Sequence, residues 1–150
     1  MKKRFKATIT RTGGKNLIPV PFDPDEAWAQ KERHYVDGEV DGHRVRGLLI
    51  ITGNQVALPV GAAWLRDTRV ALNTPVKVVL WPDGPQVELL AEDIARALAA
   101  APAAKSLFDS VAPFYRKNFL RWIDSAKRPQ TRQARIAEMV SLLAAGKRQR

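Results

Sequence analysis

Arg132 stands where a cation is out of place. It follows Thr131 at the head of a segment, Arg132 to Ala145, in which Ile136, Met139, Val140 and Leu143 recur at helical spacing. With Thr131 as the N-cap, Arg132 falls in the first helical turn. The helix dipole disfavours a positive charge there by roughly 0.3–1 kcal/mol. A residue placed against a local rule points to a specific partner. The same helix start offers backbone N–H groups that favour an anion. Lys127, Arg128, Arg132 and Arg135 can therefore converge on a phosphate or a carboxylate. The other reading is structural: Arg132 reaches a carboxylate within the fold, such as Asp124 or Asp109, and locks the last two helices together. Just upstream, Lys117, Arg121, Asp124 and Arg128 share one face of a long helix. Lys117, Arg121, Lys127, Arg128, Arg132 and Arg135 are thus the candidate residues for holding an anion or a nucleic acid.

No other set of residues outweighs an ordinary structural role. His34 and His43 flank a proposed hairpin, but a metal needs three or four ligands and the nearby carboxylates, Asp37 and Asp41, are turn residues. Both histidines read as exposed strand residues. Ser106, Ser110, Ser125 and Ser141 lack a nucleophile motif, and Gly13-Gly14 matches no phosphate loop or dinucleotide pattern. Asp23, Asp25 and Glu26 suit a helix start better than a paired acid and base. Trp28, Trp64, Trp81 and Trp122 are expected to fill a core. With no cysteine, disulfides, thiolate metal sites and thiol nucleophiles are excluded. The chain reads as a non-enzyme with no cofactor and no metal.

Charge narrows the partners. The 150 residues carry 25 Lys and Arg against 15 Asp and Glu, a net charge of +10. From Ala91 onward there are 12 of the former and 5 of the latter, so most of the excess lies in the last part of the chain. Such a surface attracts polyanions, nucleic acid first among them. The leading reading is accordingly a non-enzymatic binding protein using a basic helical face, with a protein partner as a further possibility. A small-molecule binder using a barrel pocket is a separate alternative. The first ten residues alternate rather than run apolar, so no secretory signal is expected. No stretch approaches the roughly 20 apolar residues that span a bilayer. Cytoplasmic location without membrane insertion is the expectation.

The elements that must position these residues change character near Leu90. Phe5, Ala7 and Ile9 alternate with Lys6, Thr8 and Thr10, the period of a half-buried strand. Leu17 to Phe22 is a strand whose Pro19 and Pro21 suggest an edge or a strand end. Asp23 caps a short helix begun by Pro24. Arg33 to Val40 and His43 to Thr52 flank Asp41-Gly42, a strong hairpin signal. Strands at Asn54 to Val60, Val76 to Trp81 and Gln86 to Leu90 follow, with a helical turn at Ala62 to Asp67. Six or seven short strands at this spacing predict a closed or nearly closed small barrel. Helices are then expected over Glu92 to Ala100, Ala104 to Val111, Pro113 to Lys127 (ended by Pro129) and Arg132 to Ala145 (closed by Gly146). Lys147 to Arg150 reads as a frayed basic tail. The fold class is α+β: a β-barrel over residues 1–90 and a helical unit over 91–150.

The later words carry a resemblance. Ala112-Pro113-Phe114-Tyr115-Arg116-Lys117, Trp122-Ile123-Asp124-Ser125-Ala126-Lys127, Thr131-Arg132, Arg135-Ile136 and Leu142-Leu143-Ala144-Ala145-Gly146 resemble the YdeI/OmpD-associated family, also labelled bacteriocin-protection. Val36-Asp37-Gly38, Val40-Asp41-Gly42 and Leu58-Pro59-Val60 resemble the uncharacterised domain often fused ahead of it. Ala91 departs from the family's Pro at the lead-in to the first helix. The resemblance implies a pseudobarrel like the double-split barrels of AbrB-like regulators, followed by helices. It implies no biochemical activity; its label implies an envelope-stress or bacteriocin-protection factor acting through protein contacts.

Overall fold

In the computed structural model, which describes residues 1–150, the first alternating run becomes two strands, β1 (Lys3–Thr8) and β2 (Thr10–Thr12), broken at Ile9. Gly13 and Gly14, both at positive φ, turn the chain into β3 (Lys15–Val20). Asp23 caps α1 (Pro24–Trp28), its carboxylate accepting the Asp25 N–H at 2.9 Å. Asp41 and Gly42, at φ 49° and 84°, form the two-residue turn between β4 (Tyr35–Val40) and β5 (His43–Leu48). The run breaks at Leu49 and resumes as β6 (Ile50–Thr52), and Gly53 turns it into β7 (Gln55–Val60). Helix α2 (Ala62–Thr68) and strand β8 (Pro75–Pro82) complete a first unit, Met1–Gln30 with His34–Asp83.

Its strands form two antiparallel sheets, β1-β8-β4-β5 and β2-β3-β7-β6. No ladder joins them. The chain instead crosses from one sheet to the other at Ile9 and again at Leu49. The α+β class is as read from the sequence, but the expected barrel is not closed: the unit is sandwich-like. Turn spacing reports how many strands exist, whereas closure depends on edge strands pairing, and strands that switch sheets at a corner leave those edges apart. Ile9, Ile18, Val36, Val40, Leu58 and Leu80 are fully buried between the sheets.

The prolines sit at the end of β3 as expected: β2 stops pairing at Thr10 with Leu17, so Pro19, next to the last residue of β3, meets a neighbour only in β7, and Pro21 follows the strand. Pro59 is accommodated in β7 in the same way, past the end of β6. One further expectation is corrected in this unit, and it concerns a histidine. His34 is not exposed: it is buried with Nε2 2.6 Å from Asp25 Oδ1, whereas His43 does face solvent.

The second unit comprises Lys31–Arg33 and Gly84–Arg150. Gln86 to Leu90, expected as a strand, is a 3-10 turn at Val87–Leu89. The Gln86 side chain donates to the Gly84 carbonyl at 3.0 Å, which curls the chain, and Val87 is buried in a helical core. Helices α3 (Glu92–Ala99), α4 (Pro102–Ser110), α5 (Pro113–Asp124) and α6 (Pro129–Ala144) follow. Proline opens the last three, where its missing N–H costs nothing. Leu98, Ala104, Phe108, Ile123, Met139 and Leu143 centre their core. Helix α5 ends at Asp124 rather than Lys127, because the Pro129 ring would clash with the carbonyl four residues earlier, at Ser125. Pro129 then opens α6, so the N-cap is Arg128 and not Thr131. No helix is long and apolar enough to cross a membrane.

Candidate anion-binding site

Arg132, the fourth residue of α6, is held by two carboxylates. Its Nε donates to Asp93 Oδ2 at 2.7 Å and its Nη2 to Asp93 Oδ1 at 3.0 Å, while Nη1 donates to Asp124 Oδ1 at 3.0 Å. One guanidinium therefore ties α6 to α3 and to α5. Asp109, the other carboxylate considered from sequence, pairs with Lys105 at 2.8 Å. Arg132's hydrogen bonds hold the Asp93 carboxyl below the usual range against a smaller opposing effect of burial, and reciprocally raise the guanidinium's own pKa. Arg135 is also engaged internally: Nη1 donates to the Trp122 carbonyl at 2.7 Å and to Ser125 Oγ at 2.9 Å.

The six candidate cations do not form one cluster. Lys117 and Arg121 remain on α5, half-buried and exposed respectively. Lys127 and Arg128 are exposed in the link between α5 and α6, so Arg128 does not share the α5 face. Arg132 and Arg135 point at acceptors of their own helical unit.

Replacing Arg132 by alanine is expected to destabilise the helical unit by about 1 kcal/mol at neutral pH. Two well-formed contacts raise the figure, and solvent at Asp93, 46% exposed, screens it. Because the folded Asp93 carboxyl titrates below its unfolded value of about 4, the contribution is complete above that pH and is lost as pH falls through the lowered folded value. Urea denaturation of wild type and Arg132→Ala should show a gap at pH 7 that narrows in acid. A gap that widens in acid would contradict the assignment.

A different group of cations does gather. Tyr115, Asn118 and Trp122 recur at intervals of three and four along one face of α5, and Ser125, its C-cap, continues that line. Helix α6 ends in a left-handed Gly146, φ 81°, with Lys147 N–H bonded to Leu142 O and Gly146 N–H to Leu143 O, each at 2.9 Å. This paired closure reverses the chain. The last residues then run back along α5, rather than fraying. The Arg148 guanidinium lies 5.0 Å from the centroid of Tyr115, and that of Arg150 lies 4.4 Å from Trp122. With Arg121 they surround a cavity of about 580 Å³, walled also by Asn118 and Ser125.

The side chains around this cavity are of kinds that can hold an anion. A guanidinium lying over an aromatic ring gains from the ring's quadrupole and keeps its N–H edge for an oxyanion. Such an edge matches carboxylate or phosphate through two parallel hydrogen bonds. No Asp, Glu or His side chain lines the wall. Sequence reasoning picked out Arg121 and missed Arg148 and Arg150. The available signal was the pairing of a helix-ending Gly146 with arginines two apart, which share one side of an extended segment, and aromatics seven apart on one side of α5.

Burial also acts on Lys31, lowering its ammonium pKa against the opposing pull of Asp109; its Nζ donates to Gln86 Oε1 at 2.7 Å. Nearby, Arg116 is buried and donates to the Pro85 carbonyl at 2.7 Å. These contacts hold the second unit's first residues against its helices.

Two family models match the chain. Residues 5–80 match the one described as a domain of unknown function, DUF1905. Residues 90–146 match the one described as bacteriocin-protection, YdeI or OmpD-associated. The second match includes Tyr115, Arg121 and Trp122 and stops before Arg148. No curated protein matches.

Proposed function

We propose that this chain, which belongs to the DUF1905 family and carries a YdeI/OmpD-associated, bacteriocin-protection segment behind that domain, is a non-enzymatic binding protein whose helical unit holds the phosphates of a nucleic acid. The observation that carries the reading is the arrangement of Arg121, Arg148 and Arg150 around one cavity, with two of the three guanidiniums laid on aromatic rings. The unit's excess of cations supports it, with exposed Lys127 and Arg128 as outer contacts. The reading takes the cytoplasm as the compartment, since nucleic acid is available there.

The test is fluorescence anisotropy of the full chain with labelled duplex DNA across a salt series. Affinity should fall with salt at a slope near −0.9 for each phosphate contacted. Changing Arg121, Arg148 and Arg150 together to alanine should flatten the slope by nearly three such contacts and weaken binding about equally across sequences. Salt-independent binding, or none at low salt, would sink the reading.

A second reading has one specific support, the family's description as bacteriocin-protection. There the partner is a protein. Cells expressing the chain would survive a bacteriocin challenge better than controls, and the triple arginine variant would protect as well as wild type.

A further inference from the structure

We propose that the outer face of the β1-β8-β4-β5 sheet is a binding surface for single-stranded nucleic acid, with Trp81 as a stacking platform, Arg4, Lys6 and Lys77 on the phosphates, and Glu39 reading a base edge. This goes beyond the helical cavity and does not depend on it.

Strand alternation creates the surface. Ala7 in β1, Val76, Val78 and Leu80 in β8, and Val36 and Val40 in β4 turn inward to the core. Their neighbours Arg4 and Lys6, Lys77 and Trp81, Glu39, and Arg44 therefore turn outward. The register sets these in rows across the sheet: Lys6 opposite Lys77; Arg4, Val79, Glu39 and Arg44 in line; and Trp81, Asp37 and Arg46 in line. Arg4, Lys6, Lys77 and Glu39 are exposed and rim a hollow of about 350 Å³ over Val79.

Charge is sorted across this face. On the β5 side the cations are neutralised within the fold, Arg44 by Asp37 at 2.8 Å and Arg46 by Asp83 at 2.9 Å. Burial opposes the charge of Asp37, but the hydrogen bonds from Arg44 and from the Gly38 N–H, with the charges of Arg44 and Arg46, together outweigh that cost and lower its pKa. Asp41 is committed to the hairpin, its Oδ1 accepting the Lys77 backbone N–H at 2.8 Å. On the β1 and β8 side Arg4, Lys6 and the Lys77 ammonium face solvent. Arg4 and Lys6 lie about 7 Å apart along the strand, a linear row suited to a chain of phosphates.

Trp81 and Glu39 select the occupant. Trp81 is only half-buried, and the exposed Lys2 ammonium lies 4.6 Å from its ring centroid, so one ring face is presented to a surface side chain rather than to the core. A base can take that place, since stacking on an aromatic needs a splayed-out base and is tolerant of sequence. A duplex offers no such base. Glu39 would be an odd choice on a purely phosphate-binding face. Arg44, its cross-strand neighbour, turns instead to Asp37. That leaves the Glu39 carboxylate beside the hollow, as an acceptor suited to the exocyclic amine of cytosine, which thymine lacks.

The test uses the full chain and labelled oligo-dC, oligo-dT and a duplex of equal length, read by anisotropy across a salt series. Oligo-dC should bind about tenfold tighter than oligo-dT, and tighter than the duplex. Arg4→Ala, Lys6→Ala and Lys77→Ala together should reduce the single-strand salt slope by about two, at −0.7 per contact. Trp81→Ala should weaken binding about tenfold, with Trp81→Phe restoring most of it. Glu39→Gln should erase the preference for oligo-dC. The variant lacking Arg121, Arg148 and Arg150 should keep that preference, which separates this surface from the helical cavity. In the variant lacking Arg121, Arg148 and Arg150, where the cavity no longer contributes to duplex binding, equal binding of duplex and single strand would overturn the proposal, as would an unchanged slope in the sheet variant, equal binding of the two oligonucleotides, or no binding at low salt. Circular dichroism confirms that each variant is folded.

Discussion

Gly38→Ala is expected to cost the β-sheet unit about 3 kcal/mol or more, enough to unfold much of it at moderate temperature. Gly38 sits in β4, the strand flanked by β5 and β8, paired with Val45 on one side and Leu80 on the other. A Cβ at this position would overlap the Val79 carbonyl oxygen and lie 2.8 Å from Leu80 Cδ2. The leucine end can shift, but the carbonyl belongs to the ladder between β4 and β8. Relief requires those strands to part, which sacrifices hydrogen bonds as well as packing. The requirement is one of space, since Gly38 is not among the residues with positive φ. Gly14→Ala makes a useful contrast: its Cβ meets nothing, and only its φ of 78° is unfavourable. Urea denaturation should place Gly38→Ala well below wild type and Gly14→Ala between them. A Gly38→Ala protein as stable as wild type would show that the two strands are spaced more widely than described.

Phe108→Ala should cost the helical unit about 3–5 kcal/mol. Phe108 is fully buried, on a helix whose main partner is α6, among Leu98, Ala104, Met139 and Leu143. Removing a ring from a packed interior loses its transfer free energy and leaves a cavity that the neighbouring helices fill only in part. The consequence for function follows from α6. That helix positions Gly146, and Gly146 aims Arg148 and Arg150 at the α5 rings. Loosening α6 should therefore also weaken the arginine cavity, seen as a shallower salt slope on duplex DNA. The oligo-dC preference assigned to the sheet face should survive under conditions where the β-sheet unit stays folded. Denaturation followed by circular dichroism at 222 nm measures the first effect, and anisotropy the other two. A change below about 1 kcal/mol would mean that Phe108 is not central to that core.

Some of this was present in the residues alone, because local rules decide it. Asp41-Gly42 specified its hairpin, since its conformation suits few other dipeptides. Asp23-Pro24 specified the start of α1, and Gly146 the end of α6. The change of period near Leu90 gave the α+β class, and the words of the later helices pointed to the family that the comparison then matched. The concentration of positive charge was likewise a matter of counting.

What tertiary structure decided was pairing across distance. Alternation marked strands at Phe5 to Ile9 and His43 to Thr52, yet only packing around a shared core determined that each breaks, at Ile9 and Leu49, and passes to a second sheet. Gln86 to Leu90 carried a strand-like pattern too short to distinguish from a turn, and Val87's place in the helical core settled it. Arg132 was legible as a residue needing a partner, but Asp93 lies 39 positions away and no local spacing selects it. The Arg148 and Tyr115 pair is equally remote: composition showed a basic tail, and the reversal at Gly146 together with the outward rings of α5 gave that tail a surface to lie on. Caps, turns and periodicity act within about one helical turn or one hairpin, so a sequence displays them directly. An ion pair, a stacked guanidinium or a sheet corner depends on which distant segments the core brings together, and only the folded chain determines that.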